Sequence, residues 1–167
     1  MQADTTNALE LLRSQHREVD ELIAQIENCD ESDEKTELFH ELADKIAAHA
    51  TIEERLFYSS VMADNTRELL IEATEEHLSI KRVLADMLEL DVEDEHFAGK
   101  LTVLGEQFRN HAHDAEEGEL FPMVEKLLGE DELAALGNEM LVMFDDLIER
   151  EPRKQVPSET IEAAPLA

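Results

Sequence analysis

Two stretches of the chain carry metal-binding residue types at a spacing that sets them side by side. HATIEERLFY, residues 49–58, and HDAEEGELFP, residues 113–122, share His-x-x-x-Glu with Leu-Phe starting three residues after the Glu. An internal echo of this kind marks a repeated structural unit. On a helix, residues four apart lie one above the other on the same face. His49 with Glu53, and His113 with Glu117, would each present an imidazole next to a carboxylate. Such pairs bind a cation, share a proton, or sit idle on a wetted face. The elements that carry them decide between these outcomes.

The spacing of apolar residues predicts five helices. The first, over 5–28, has Leu9, Leu12, Val19, Ile23 and Ile26 on one stripe, with His16 in the slot between Leu12 and Val19. Asn28 and the acidic run 30–34 supply a turn, with Ser32 as a cap. The second, over 33–61, runs Leu38, Leu42, Ile46, His49, Glu53, Leu56 and Ser60, so both members of the first pair fall on the core side. Asn65 with Glu68 resembles a capping box opening the third helix, over 66–89. Its stripe is Leu70, Ala73, His77, Ile80, Leu84 and Met87. The fourth, over 94–128, is irregular. Phe97, Leu101, Leu104 and Phe108 lead to His111, whereas Leu120, Val124 and Leu127 project back to His113 and Glu117. A π-type bulge between 108 and 117 would reconcile the two stripes. Gly118 and Pro122 weaken this helix locally and Gly129 ends it. A fifth helix, over 131–149, has Leu133, Leu136, Met140, Met143, Phe144 and Leu147 to pack on the rest. The segment 151–167 reads as a disordered tail. The fold class is all-α: an up-down four-helix bundle over 5–128, an extra packing helix and the tail.

In such a bundle the midpoints of the helices meet in one layer. His16, His49, His77 and His113, with Glu53 and Glu117, then converge on one point in the core. A single histidine in an apolar stripe is usually a hydrogen-bonded core residue. Two buried carboxylates in one layer repel each other and cost several kcal/mol each unless protonated, paired or metal-bound. No Lys or Arg stands at these stripe positions, so a cation site is the joint reading. Asp20, one turn beyond His16, reads as an acceptor behind a ligating histidine. Glu37-x-x-His40 and Glu93-x-x-His96 match the Glu-x-x-His pattern of ferritin-like diiron bundles. The first faces away from its stripe and the second sits at a helix start, so His40 and His96 read as surface residues.

Composition narrows the functional classes. A length of 167 residues gives one domain with a proper core, and 42 acidic against 14 basic residues leave a formal charge of −28. Nucleic acid and anionic membranes both need a cationic surface and are excluded as partners. The acidity suits a high-salt cytoplasm or high solubility. No stretch is long and apolar enough to span a bilayer, and the first residues lack a signal peptide's basic start and apolar run. The single Cys29 cannot make an internal disulfide, which fits a reducing cytoplasm.

His16, the His49-x-x-x-Glu53 pair, His77, and His113-x-x-x-Glu117 followed by Leu-Phe-Pro resemble the hemerythrin-like (HHE cation-binding) family over about residues 9–128. The resemblance implies a four-helix bundle holding two non-haem irons with an oxo or hydroxo bridge. Two carboxylates, Glu53 and Glu117, would bridge the irons, with His16, His49, His77 and His113 as terminal ligands. Imidazole and carboxylate also suit zinc or manganese, so iron rests on the resemblance. The family binds or senses O2, stores or senses iron, or handles NO and peroxide. This chain differs from the oxygen-carrying hemerythrins in two places. They carry His-x-x-x-His on the third helix, where the residues one turn from His77 are Ala73 and Lys81. Their last carboxylate is an Asp five residues after its His, where this pair is His113 and Glu117. The expected function is a diiron protein that binds or senses O2 or iron, or a diiron oxidoreductase acting on peroxide, O2 or NO. A metal-free structural bundle is the alternative. The expected partners are a small diatomic or peroxide ligand and an unidentified protein.

Overall fold

A computed structural model describes residues 6–164. Residue 5 and residues 165–167, at the expected outer ends of bundle and tail, lie outside the described residues. Helix α1 (Ala8–Glu27) opens on Asn7, whose Oδ1 accepts from the Leu9 N–H at 2.8 Å. Helix α2 (Ser32–Ile52) runs on without a break through a π-helical segment, Glu53–Phe57, and a last turn, Tyr58–Ser60. Helix α3 spans Arg67–Leu88. Helix α4 (Glu95–Arg109), capped by Asp94 Oδ1 on the His96 N–H, continues through a π-helical segment, Asn110–Leu120, into α5 (Phe121–Leu127). Helix α6 (Glu130–Glu149) follows Gly129. No strand occurs among the described residues.

Two expected caps differ. Ser32 is the first residue of α2 and donates to Glu93 instead of capping. Asn65 does not open α3. Thr66 precedes that helix, and its hydroxyl accepts from the Ala63 N–H and donates to the Val61 carbonyl, closing the loop locally.

Four rods pack around two apolar clusters. One holds Val19, Ile23, Leu42, Ile46, Leu84, Leu101, Leu104 and Phe108. The other holds Leu9, Leu12, Ile52, Phe57, Leu70, Phe121, Val124 and Met140. The histidines and glutamates form a polar layer between them. Helix α6 lies against α1 and α2, and Gly137 permits the approach: a Cβ there would sit 1.9 Å from the Thr6 carbonyl oxygen. The expected extra helix is therefore part of the packing.

The segment after α6 corrects the expectation of a disordered tail through residue 164. Glu151 takes a left-handed conformation (φ 51°) and turns the chain back. A short 3-10 helix, Pro152–Gln155, and helix α7, Val156–Glu159, then lie across α2 and α3. Val156 is fully buried in the first cluster, and the Arg153 guanidinium meets Asp44 Oδ2 at 2.7 Å. One apolar anchor and one half-buried ion pair hold a segment whose composition reads as solvated.

Candidate metal centre

Each rod places one or two side chains in the polar layer. Helix α1 gives His16, α2 gives His49 and, at the start of its π segment, Glu53. Helix α3 gives His77. These four were expected at the core, and all are buried. The fourth rod differs from expectation. The structure puts His111 and Glu116 in the layer, 0% and 1% exposed, and leaves the side chains of His113 and Glu117 35% and 21% exposed.

The reason is the π segment. In an α-helix residues five apart are about 140° out of phase. The wider i→i+5 winding brings them back towards one face, so His111 and Glu116 point inward together. The bulge expected between 108 and 117 is present and extends over Asn110–Leu120. It carries the α4 stripe on to His111 instead of shifting it to His113. The first echo also holds an unexpected π segment, Glu53–Phe57. There it buries Phe57 and Tyr58 in place of the expected Leu56 and Ser60.

The inward atoms form two groups that share a carboxylate. His16, His49, Glu53 and Glu116 each offer one ligand atom, all within 4.8 Å of one another, and so do Glu53, His77 and His111. Glu116 Oε1 also lies 3.0 Å from His111 Nε2 and 3.5 Å from His16 Nε2, so it too faces both groups. His49 Nε2 is 2.7 Å from Glu53 Oε1, and His77 Nε2 is 2.9 Å from His111 Nε2. His16 Nε2, His49 Nε2, Glu53 Oε1 and Glu116 Oε1 are buried with no hydrogen-bond partner despite this crowding. Buried polar atoms are rarely left so. Four of them converging on one space fit a shared cation.

The outward nitrogens are nearly all held. Gln15 Oε1 lies 2.7 Å from His49 Nδ1, Glu54 Oε1 2.9 Å from His77 Nδ1, and Glu76 Oε1 3.3 Å from His111 Nδ1. Glu117 Oε1 is 3.5 Å from His16 Nδ1. His113 Nδ1 meets Glu117 Oε2 closely, and its Nε2 lies 2.7 Å from Asp20 Oδ2. Behind His49, His77 and His111 an acceptor fixes the tautomer and turns Nε2 inward, the arrangement expected of metal-ligating histidines, whereas His16 Nδ1 has the Glu117 carboxylate nearby without a hydrogen bond. His113 and Glu117 thus stand behind His16, and Asp20 stands behind His113. Tyr58 completes the layer, its hydroxyl 3.3–3.4 Å from Glu116 Oε2, Glu53 Oε2 and His77 Nε2. No sequence signal marked Tyr58, Gln15, Glu54 or Glu76. His111 was legible as the end of the α4 stripe.

Charge in the layer follows from burial against pairing. Burial disfavours the His16 cation, but Glu116 and Glu117 outweigh it and push the ring up to about 9. His111 rises well above its ordinary value against the same burial, through Glu116 and Glu53. His49, whose burial dominates, is lowered. Glu53 is held well below the carboxylate range, its burial overcome mainly by His49. Burial, with Glu116 and Glu53 alongside, raises the Tyr58 phenol and keeps it neutral. Without metal, protons on the rings balance the carboxylates.

The hemerythrin HHE cation binding domain model matches residues 7–124. The chain belongs to this family. Its fold is similar to the crystal structure of a hemerythrin HHE cation binding domain-containing protein from Mycobacterium kansasii. The two are 24% identical with a TM-score of 0.78, over 89% of this chain and 91% of that one. No match was found among functionally curated proteins. Within the HHE family, the fourth-rod register removes one apparent departure. His111 and Glu116 are five residues apart, the spacing given above for oxygen carriers, with Glu in place of Asp.

Proposed function

We propose that the protein is a non-haem diiron protein in which Glu53 and Glu116 bridge two metals. One metal is held by His16 and His49, the other by His77 and His111. His113 and Glu117, proposed from sequence as ligands, become the support of His16. The observation that carries this is the set of four orphaned, converging, buried donors next to a second group sharing Glu53. Two imidazoles with carboxylates form the donor set of non-haem iron centres that keep open positions. When bound, such a metal pair supplies redox chemistry towards small oxygen or nitrogen species.

The chain's own residues favour reaction over carriage. His16 and His49 would hold one metal and His77 and His111 the other, with Glu53 and Glu116 facing both, so each metal would find two imidazoles and shared carboxylates. Tyr58, neutral and aimed at both glutamates, is the one proton-bearing hydroxyl in the layer. A cleft of about 10 Å³ between α3 and the second π segment, lined by Ala73, Glu76, Ala115 and Glu116, borders the layer at Glu116. That volume is roughly one water molecule. The protein is proposed to react with a small oxygen or nitrogen species irreversibly. A sensing or binding role is the alternative within the same chemistry.

Reduced, iron-loaded protein is exposed to O2 and then placed under vacuum while its spectrum is followed. Persistence of the oxidised spectrum is expected. Full return to the reduced state would show reversible O2 carriage, and a metal content near zero after anaerobic loading would leave a structural bundle.

A further inference from the structure

His49 and His77, one ring from each group, differ in what stands behind them. His49 is backed by the neutral amide of Gln15, whereas His77 is backed by the Glu54 carboxylate, side chain 12% exposed. A buried carboxylate needs a counter-charge. Lys81, one turn beyond His77 and 8% exposed at its side chain, brings Nζ to 3.9 Å from Glu54 Oε2. The same Nζ lies 2.9 Å from Oε2 of Glu159, at the end of α7. These groups, with Thr51 and Thr74, line a cavity of about 340 Å³ between α2, α3 and the returning C-terminal segment. The segment is fixed at its other end by Val156, fully buried, and by the Arg153–Asp44 ion pair. An unbroken line of charged contacts therefore runs from the C-terminal segment to one ring of the metal layer: Glu159, Lys81, Glu54, His77. Among the described residues, the Gln15 amide alone stands behind His49.

The geometry points to Pro152–Glu159 being a working part of the metal centre: through Lys81 it locks Glu54 onto His77 and so tunes the metal held by His77 and His111, leaving the other metal untouched. This rests on the metal-centre proposal above. Lys81 and Glu159 are positioning residues, since neither reaches the inward atoms. An imidazole donating to an ionised, immobilised carboxylate is the stronger base towards a metal, and loss of such outer partners costs about 10–100-fold in metal affinity. Lys81 Nζ faces one Glu54 oxygen at 3.9 Å while the His77 ring meets the other at 2.9 Å, so the carboxylate is held between them. Glu159 holds the flexible Lys81 head in place.

The test compares full-length wild type with Glu159→Gln, Lys81→Met and the double variant, each loaded anaerobically with Fe(II) and then challenged with a chelator. In Lys81→Met one iron equivalent is expected to leave about 10-fold faster. In Glu159→Gln the same equivalent leaves a few-fold faster. The other equivalent keeps its wild-type rate in both. The double variant, which also relieves the carboxylate that Lys81→Met would strand, is expected to be no worse than Lys81→Met, because the two residues act in series. In metal-free protein the His77 ring Nδ1 resonance is expected to shift in both single variants. Equal acceleration of both equivalents, or a lowered Tm with unchanged release, would overturn the proposal. Should wild type take up no iron, the metal-centre proposal fails by itself. The His77 resonance then decides this one, and an unmoved signal overturns it.

Discussion

The two echoes, 49–58 and 113–122, share a sequence pattern and end in the same structural feature. Phe57 and Phe121 are both fully buried, and their rings meet edge to face at 5.9 Å just below the metal layer. Above that shared floor they diverge. In the first echo the core residues lie four and eight positions before the phenylalanine, Glu53 and His49, joined to each other by α-helical winding, with the π segment starting only at Glu53. In the second they lie five and ten positions before it, Glu116 and His111, on a π segment. Glu117 and His113, which match the first echo letter for letter, stand one step outside. An echo in letters is an echo in space only where the helix winding is the same. The difference also assigns unequal roles. The first echo supplies His49, Glu53 and Tyr58 to the layer and Glu54 behind His77. The second supplies Glu116 inward with His113 and Glu117 behind His16, and His111 comes from just before it.

The comparison breaks hardest at the residue that both groups share. Glu53→Ala is expected to lower the iron content from near two per chain to one or fewer, by metal analysis after loading and desalting. Retention of both irons would remove Glu53 as a bridge. Next come the paired histidines of the second echo. His111→Ala removes an inward donor and is expected to weaken iron retention on the order of 100-fold, against about 10-fold for His113→Ala, which removes only support for Glu117. Chelator competition distinguishes them, and a larger loss for His113→Ala would restore the register in which both echoes wind alike.

A pH effect separates the metal-free protein from the loaded one. His16 has a folded value of about 9 against 6.5 ordinarily. A group raised on folding contributes stability fully present below 6.5 and lost as pH rises through about 9. Metal-free protein is therefore expected to lose Tm between those limits, and loaded protein, in which metal replaces the protons, is expected to lose less. Glu117, lowered to about 2 chiefly by His16, has the opposite sign: its contribution is present above 4.5 and lost as pH falls towards 2. Identical pH profiles for both forms would mean that the rings do not exchange protons for metal. The smallest expected effect is at the floor. Phe121→Leu should cost about 1 kcal/mol by chemical denaturation through the lost edge-to-face pair, with iron content unchanged.

The four rods, the extra helix, the buried stripes on α1 to α3 and the inward positions of His16, His49, Glu53 and His77 were legible in the sequence because they follow the 3.6-residue period as far as Glu53; the short helices after Glu151 were not. The fourth rod was only half legible. Phe97, Leu101, Leu104 and Phe108 lead to His111, and the conflict with Val124 marked a bulge, but the repeated letters favoured His113 and Glu117. Periodicity locates a change of winding without saying which side of it keeps the core. Tyr58, Gln15, Glu54 and Glu76 were invisible because each acts across helices, and a single helix shows no partner. The C-terminal segment was misread because Val156 and Arg153 are isolated anchors in a polar stretch, with no period to detect.

The most direct test sets Glu116→Ala beside Glu117→Ala, neighbours with the same chemistry, one facing the inward atoms and the other standing behind His16. Iron per chain is counted after identical anaerobic loading and desalting. Glu116→Ala is expected to fall to one iron or fewer, and Glu117→Ala to keep close to two. Retention by Glu116→Ala with loss in Glu117→Ala would contradict the π-shifted centre.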